Sequence, residues 1–171
     1  KDKVMRGQSV PAGIITAPGV NGHTPERDQR LPYDPELSKK LLAEAGYPDG
    51  FELTLDCPND RYINDEAICV AAIGMFAKIG VKVNLDAKTK SQHFSEVKEG
   101  DANGMTSDMY MLGWGVPTFD SHYVYSYLFD SAGSWNKVNF SNARVDELVA
   151  AMGVETDLAK RNAMIAEAWD I

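Results

Sequence analysis

The chain has 171 residues, 44% of them apolar and 25% charged, a balance that suits a folded domain able to bury a core without metals or disulfides. Seventeen Lys and Arg stand against 25 Asp and Glu, giving a formal net charge of −8, and the basic residues are scattered. A phosphate backbone is repelled by such a surface, which argues against nucleic acid as a partner.

The longest nearly apolar run, Cys69 to Ala77, is nine residues, well short of the roughly 20 that a membrane-spanning helix needs. Lys1-Asp2-Lys3-Val4 has none of the apolar character of a secretory signal. The chain therefore reads as cytoplasmic or as a product whose signal has been removed. Cys57 and Cys69 lie in no CxxC or CxxH spacing, so a zinc site is not expected. A strand end and a helix start can bring them together as a disulfide in an oxidising compartment, and free buried thiols are the alternative.

Residues 1–33, punctuated by Gly7, Pro11, Gly13, Pro18, Gly19, Gly22, Pro25 and Pro32, read as an extended segment that wraps a surface or belongs to a junction. Asp34-Pro35-Glu36 then signals a helix start, with Leu37, Leu41, Leu42 and Ala45 at helical spacing and Gly46 and Pro48 as the stop. Phe51–Asp56 alternates as a half-buried strand, ended by Pro58-Asn59-Asp60. Residues 63–79 predict a helix with Ile68, Ala72, Met75, Phe76 and Ile79 on one face, closed by Gly80.

Val81–Asp86 is a second alternating strand, Ser91–Glu99 a short helix with Phe94 and Val97 inward, and Met109–Leu112 a third, fully apolar strand. Crossovers of this length join parallel strands in a right-handed sense. Alternation in the first two places them at edges or under thin cover, and the apolar third is expected at the centre. The remainder is helical: an aromatic-rich stretch over 122–129, a helix capped by Asn142 with Val145, Leu148, Val149 and Met152, and a last one capped by Thr156 with Leu158, Ile165 and Trp169. That helix reaches Ile171 with no stop signal, which suggests a fragment.

Catalytic motifs are missing: the sequence holds no GxSxG, P-loop, HExxH or GxGxxG. His23, His93 and His122 share no metal-ligand spacing and read as solvent-facing or hydrogen-bonded, and Glu96, Glu99 and Asp101 as a solvated face. The strongest ligand candidate is Leu112-Gly113-Trp114-Gly115-Val116-Pro117-Thr118-Phe119-Asp120, because open parallel sheets bind ligands beyond the carboxyl ends of their strands. Gly113 and Gly115 let a ligand approach the backbone, with Gly115 and Val116 as candidate binding residues, Trp114 offers a flat wall and Asp120 a carboxylate for a cationic group; a core Trp and a turn Asp are the plainer alternative. Arg61, in Asn59-Asp60-Arg61-Tyr62 on the same rim, suits a ligand carboxylate or is a surface residue of a loop. A competing enzyme reading is a small α/β hydrolase or transferase using Asp120 with His122 or His93, and a third is a protein–protein adaptor.

Tyr33-Asp34-Pro35-Glu36, followed by Lys40-Leu41-Leu42-Ala43-Glu44-Ala45-Gly46-Tyr47-Pro48-Asp49-Gly50-Phe51, resembles family 5 of the extracellular solute-binding proteins, which serves oligopeptide, dipeptide, nickel and opine ABC transporters. Lys78–Val83, Gly113-Trp114, Asn139–Asn142 and Val145–Leu148 follow in family order, so the resemblance runs over roughly residues 7–170. It implies an α/β fold: a periplasmic-binding-protein-like lobe with a mainly parallel sheet flanked by helices, then a helical C-terminal part. Residues 34–171 would form that lobe as a single domain of a larger two-lobed protein, and residues 1–33 the wrapping segment.

The resemblance further implies a periplasmic, monomeric binding component of an ABC importer. Its partners would be a small-molecule or peptide ligand and the permease subunits, and it would have no cofactor, metal or catalytic residue. Peptide binders of the family carry an amine-anchoring Asp three residues beyond the Gly-Trp pair, where this chain has Pro117; Asp120 is the nearest carboxylate that follows.

Overall fold

Local signals decide most of the elements, and contacts with distant residues decide their edges. The structure, a computed structural model, describes residues 2–99 and 107–171. Asp101 and the side chain of Glu99, two of the three acidic residues expected on a solvated face, lie outside the described residues. Two units form, one from Lys1–Pro11 with Leu31–Gly113 and the other from Ala12–Arg30 with Trp114–Ile171.

The first unit begins with a one-turn helix α1 (Asp2–Met5). Helix α2 (Pro35–Glu44) starts as the sequence predicts: the Asp34 carboxylate accepts from the Leu37 N–H at 2.9 Å and Pro35 fills the first turn. It stops at Gly46, whose φ of 92° lets the Tyr47 N–H return to the Leu42 carbonyl. Strand β1 (Glu52–Pro58), helix α3 (Asp65–Phe76) with a tighter turn over Ala77–Ile79, strand β2 (Lys82–Lys88), helix α4 (Lys90–Glu99) and strand β3 (Met109–Tyr110) follow. The entries to β1 and β2 touch at two glycine turns: a Cβ on Gly50 would lie 2.0 Å from the Gly80 carbonyl oxygen.

All strands are parallel, in the order β2-β1-β3, with Glu52 opposite Lys82 and Leu55 opposite Met109. This is the expected α/β layout with one correction: β1, not β3, is central, and β3 is only two residues long. The physical reason lies at Asp56. Its charge reads as outward-facing, yet the side chain is buried against His93, so β1 is covered on both faces over Leu55–Pro58.

The core of this unit joins Leu55, Cys57, Cys69, Val81 and Val83, with Ile73 and Phe76 packed on them. The inward stripe of α3 is therefore Cys69, Ile73 and Phe76, rotated from the expected one, and Met75 is exposed. A Cys57–Cys69 disulfide fixes that rotation.

In the second unit Thr16 and Val20 of the irregular N-terminal segment are buried. Asn21 forms a parallel bridge with Asp120, in which the Asn21 N–H donates to Phe119 O and the Ser121 N–H to Asn21 O. Helix α5 (His122–Val124) widens into a π-turn over Tyr125–Phe129. Helix α6 (Ala143–Met152) is capped by Asn142 as expected, and α7 (Leu158–Asp170) by Asp157 rather than Thr156. Asp157 stands one residue nearer, and its carboxylate accepts from both Ala159 and Lys160 N–H. The core is Tyr125, Val145, Leu148, Val149, Met152, Ile165 and Ala168.

The disulfide closes a short loop, with a sequence separation of 12, and chain-entropy reasoning gives such a cross-link about 2–4 kcal/mol. The double substitution Cys57→Ser, Cys69→Ser is expected to lower unfolding stability by about that amount in urea melts. Reductant in the denaturation buffer should reproduce the loss in the parent chain and leave the variant unchanged.

Candidate ligand-binding site

The carboxyl edge of the sheet bears the loop that leaves β1. Its shape is set by Asp65, a buried carboxylate at the start of α3, whose Oδ2 accepts the Arg61 and Tyr62 N–H groups at 2.9 Å each while Oδ1 accepts the Glu66 N–H at 3.0 Å. Burial alone pushes this carboxyl up, but those backbone donors outweigh it and hold the group below the usual Asp range.

The loop presents Arg61 to solvent, its guanidinium 4.9 Å above the Tyr62 ring and 6.0 Å from that of Phe94. Among the described residues no carboxylate pairs with it. Tyr62 fastens this loop to the exit of β3: its Oη accepts the Gly113 N–H at 2.9 Å. Only glycine fits there, since a Cβ at 113 would lie 2.6 Å from the Tyr62 ring. Beneath the edge His93 is fully buried between Asp56 and the Met111 carbonyl.

In the second unit Trp114 is half-buried in an aromatic cluster, with ring centroids 5.8 Å from Tyr123, 5.9 Å from Tyr127 and 6.1 Å from Trp135. Among the described residues its buried indole N–H has no hydrogen-bond partner. Gly115 is exposed and Val116 half-buried. Phe119 combines 68% exposure with a φ of 53°, a left-handed backbone that costs a bulky residue roughly 1–3 kcal/mol. Sequence reading singles out neither Phe119 nor the partners Tyr123, Tyr127 and Trp135. Aromatic residues five and nine positions after Trp114 give a weak signal, and backbone strain gives none.

Asp120 is engaged within its own unit. Arg161 grips both carboxylate oxygens, at 3.1 and 2.8 Å, the Asn21 amide donates at 3.0 Å and the His122 N–H at 2.9 Å. Burial pushes this carboxyl up, and the Arg161 fork with the Asn21 and His122 donors overrides it, holding the pKa at about 2. The His122 ring faces the Val149 carbonyl rather than a nucleophile, so the Asp120–His122 pairing of the enzyme reading is not set up for proton transfer. Arg61 belongs to one unit and Trp114, Gly115, Val116 and Asp120 to the other.

A short parallel sheet between helices, with Gly, Arg and aromatic residues on its carboxyl-edge loops and helices after them, defines a lobe of the periplasmic-binding-protein type. The description "Bacterial extracellular solute-binding proteins, family 5 Middle" matches residues 1–136, and the chain belongs to that family. It is 30% identical over 169 residues to the glutathione-binding protein GsiB of Salmonella typhimurium, covering 96% of this chain and 32% of the relative. GsiB of Pectobacterium atrosepticum is 31% identical over 144 residues, covering 81% of this chain and 28% of the relative. The chain thus spans about a third of the length of the curated relatives it matches.

Among solved structures, the dipeptide-binding protein of Pseudoalteromonas sp. SM9913 in complex with Met-Leu superposes with a TM-score of 0.81 at 25% identity, covering 98% of this chain and 33% of that one. HbpA2 of Haemophilus parasuis gives 0.84 at 23% identity, over 99% and 33%, which speaks for the fold alone.

The Asp120 ion pair makes the second unit acid-sensitive. Its folded pKa of about 2 lies below the ordinary 3.8. The linked stability, about 2 kcal/mol, is complete above the ordinary value and is lost as pH falls through about 2. Asp120→Asn is expected to remove this acid-dependent part and to cost a similar ~2 kcal/mol at neutral pH. Circular dichroism melts taken from pH 5 downward check both outcomes.

Proposed function

We propose that this chain supplies one part of the binding cleft of an extracytoplasmic solute-binding protein that hands a small peptide, opine or similar solute to the permease of an ABC importer. Family membership carries the reading. The glutathione-binding and dipeptide-binding relatives point to a peptide-like solute with a free carboxylate. The protein captures its solute without turnover: ligand stabilises a closed form, and the transporter reads that form.

Within this reading Arg61 meets the ligand carboxylate, because its guanidinium is exposed, stacked and unpaired among the described residues. Trp114 supplies a wall for the ligand's apolar part, and Gly115 and Val116 offer backbone groups to it. Asp120, saturated by Arg161, Asn21 and His122, shapes the loop around Phe119 and leaves a ligand amine to be met elsewhere.

Titration calorimetry of the whole protein against glutathione, dipeptides and opines tests the reading. Arg61→Ala is expected to weaken binding about ten- to hundredfold, as a lost charge-assisted hydrogen bond does. Trp114→Ala should weaken it about tenfold or more. Unaltered affinity in both variants would sink the proposed site.

A further inference from the structure

His93 is fully buried on α4, and both of its ring nitrogens face acceptors. Nε2 lies 2.9 Å from the Met111 carbonyl oxygen, which can only accept, so Nε2 bears a hydrogen. Nδ1 lies 2.7 Å from Asp56 Oδ1. A neutral ring would turn a lone pair toward an ionised carboxylate, so a second proton sits between the two groups.

The surrounding charges decide which of them holds it. From β2, Lys88 places Nζ 3.3 Å from Asp56 Oδ2 and 2.7 Å from Asp86 Oδ2, and it also pairs with Glu96 of α4. Burial lowers the affinity of Lys88 for its proton, but these three carboxylates outweigh burial and keep the ammonium charged. With that cation 3.3 Å from its other oxygen, the Asp56 carboxylate reads as the acceptor of the 2.7 Å bond and the His93 ring as its donor. Three carboxylates against one lysine also leave room for a second positive charge. Tyr110, the β3 register partner of Asp56, has its hydroxyl pushed up by burial and stays neutral. On α4 itself the neighbouring Phe94 ring meets the imidazole edge-on at 5.1 Å, and the Arg61 guanidinium stands 6.0 Å from that Phe94 ring.

We propose that His93 is a buried imidazolium and a positioning residue. Its two N–H groups clamp Asp56 of β1 to the Met111 carbonyl just beyond β3, and loss of one proton releases the clamp. The clamp sits two residues before Gly113, so it steadies the strand exit that leads into Trp114. Its link to ligand binding rests on the function proposed above; the clamp itself does not. The sign follows from the hydrogen bonds: the hold needs a hydrogen on each ring nitrogen and weakens when one is lost.

The test follows the His93 ring nitrogens and the Met111 and Gly113 amides by nitrogen NMR in the ligand-free chain, from about pH 5 to pH 10. Both ring nitrogens are expected to carry protons at neutral pH. On titration the two amides should shift with the same midpoint and exchange about tenfold faster. Asp56→Asn should move the His93 midpoint downward, and His93→Gln should abolish the pH response of the amides. A bare ring nitrogen at neutral pH, amides that ignore the His93 midpoint, or an unmoved midpoint in Asp56→Asn would each overturn the proposal. If either variant does not fold, the titration of the parent chain decides alone. Because no ligand is present, its failure is separable from failure of the Arg61 and Trp114 variants.

Discussion

Two consecutive residues of β1 constrain the first unit. Asp56 points to one face and pairs with His93 of α4; Cys57 points to the other and is bonded to Cys69 of α3. Side chains alternate along a strand, so one peptide step ties the central strand to both covering helices, by a buried side-chain hydrogen bond on one side and a covalent bond on the other. Buried polar groups of this kind need partners: the other ring nitrogen of His93 meets the Met111 carbonyl, and the Lys88 ammonium stands 3.3 Å from Asp56 Oδ2 as an ion pair. The same contacts bring the exit of β3 to β1 although the ladder between them is only two residue pairs long. Tyr62 adds its bond to Gly113 on the outer side of that junction.

The second unit solves a similar problem with different chemistry. An irregular N-terminal stretch must be held on a helical core without a sheet. Asn21 does this through a bridge to the Asp120 segment, Arg27 adds a fork onto Asp170 of α7, and Arg161 of α7 locks Asp120 from behind while also donating to the Met152 carbonyl. The carboxylate that most resembles a ligand anchor in the sequence thus serves the fold. Phe119 sits between that locked residue and the open Gly115–Val116 turn, in a backbone region that bulky side chains avoid. Residues held in such conformations cluster at binding sites, where the surrounding structure over-determines them.

Much of the architecture could be read from local chemistry. The Asp34-Pro35 start, the Gly46 and Gly80 stops, the Asn142 cap and the strand-helix alternation each depend on a few adjacent residues, and all of them hold. What local patterns misplace is set by long-range pairing. The central position of β1 depends on burial of Asp56 by a residue 37 positions away. The inward face of α3 depends on which cysteine is bonded, and α7 is capped one residue later because a carboxylate outcompetes a hydroxyl. At the candidate site, Trp114 and Arg61 stand out by type and position, whereas the engagement of Asp120 depends on Arg161, 41 residues further on. Spacing along the chain holds no trace of that fork.

The ring cluster around Trp114 has an optical consequence. The chain has three tryptophans. Trp169 packs on the Tyr125 ring at the core of the second unit, while Trp114 and Trp135 stand 6.1 Å apart in a partly solvent-facing group with two tyrosines. Excited rings so close exchange energy among themselves, so light absorbed anywhere in the group reports on whatever touches its open side. Trp169 supplies a steady internal background against which that signal is read. The protein therefore carries an intrinsic fluorescent reporter at the site proposed for the solute, with no dye attached.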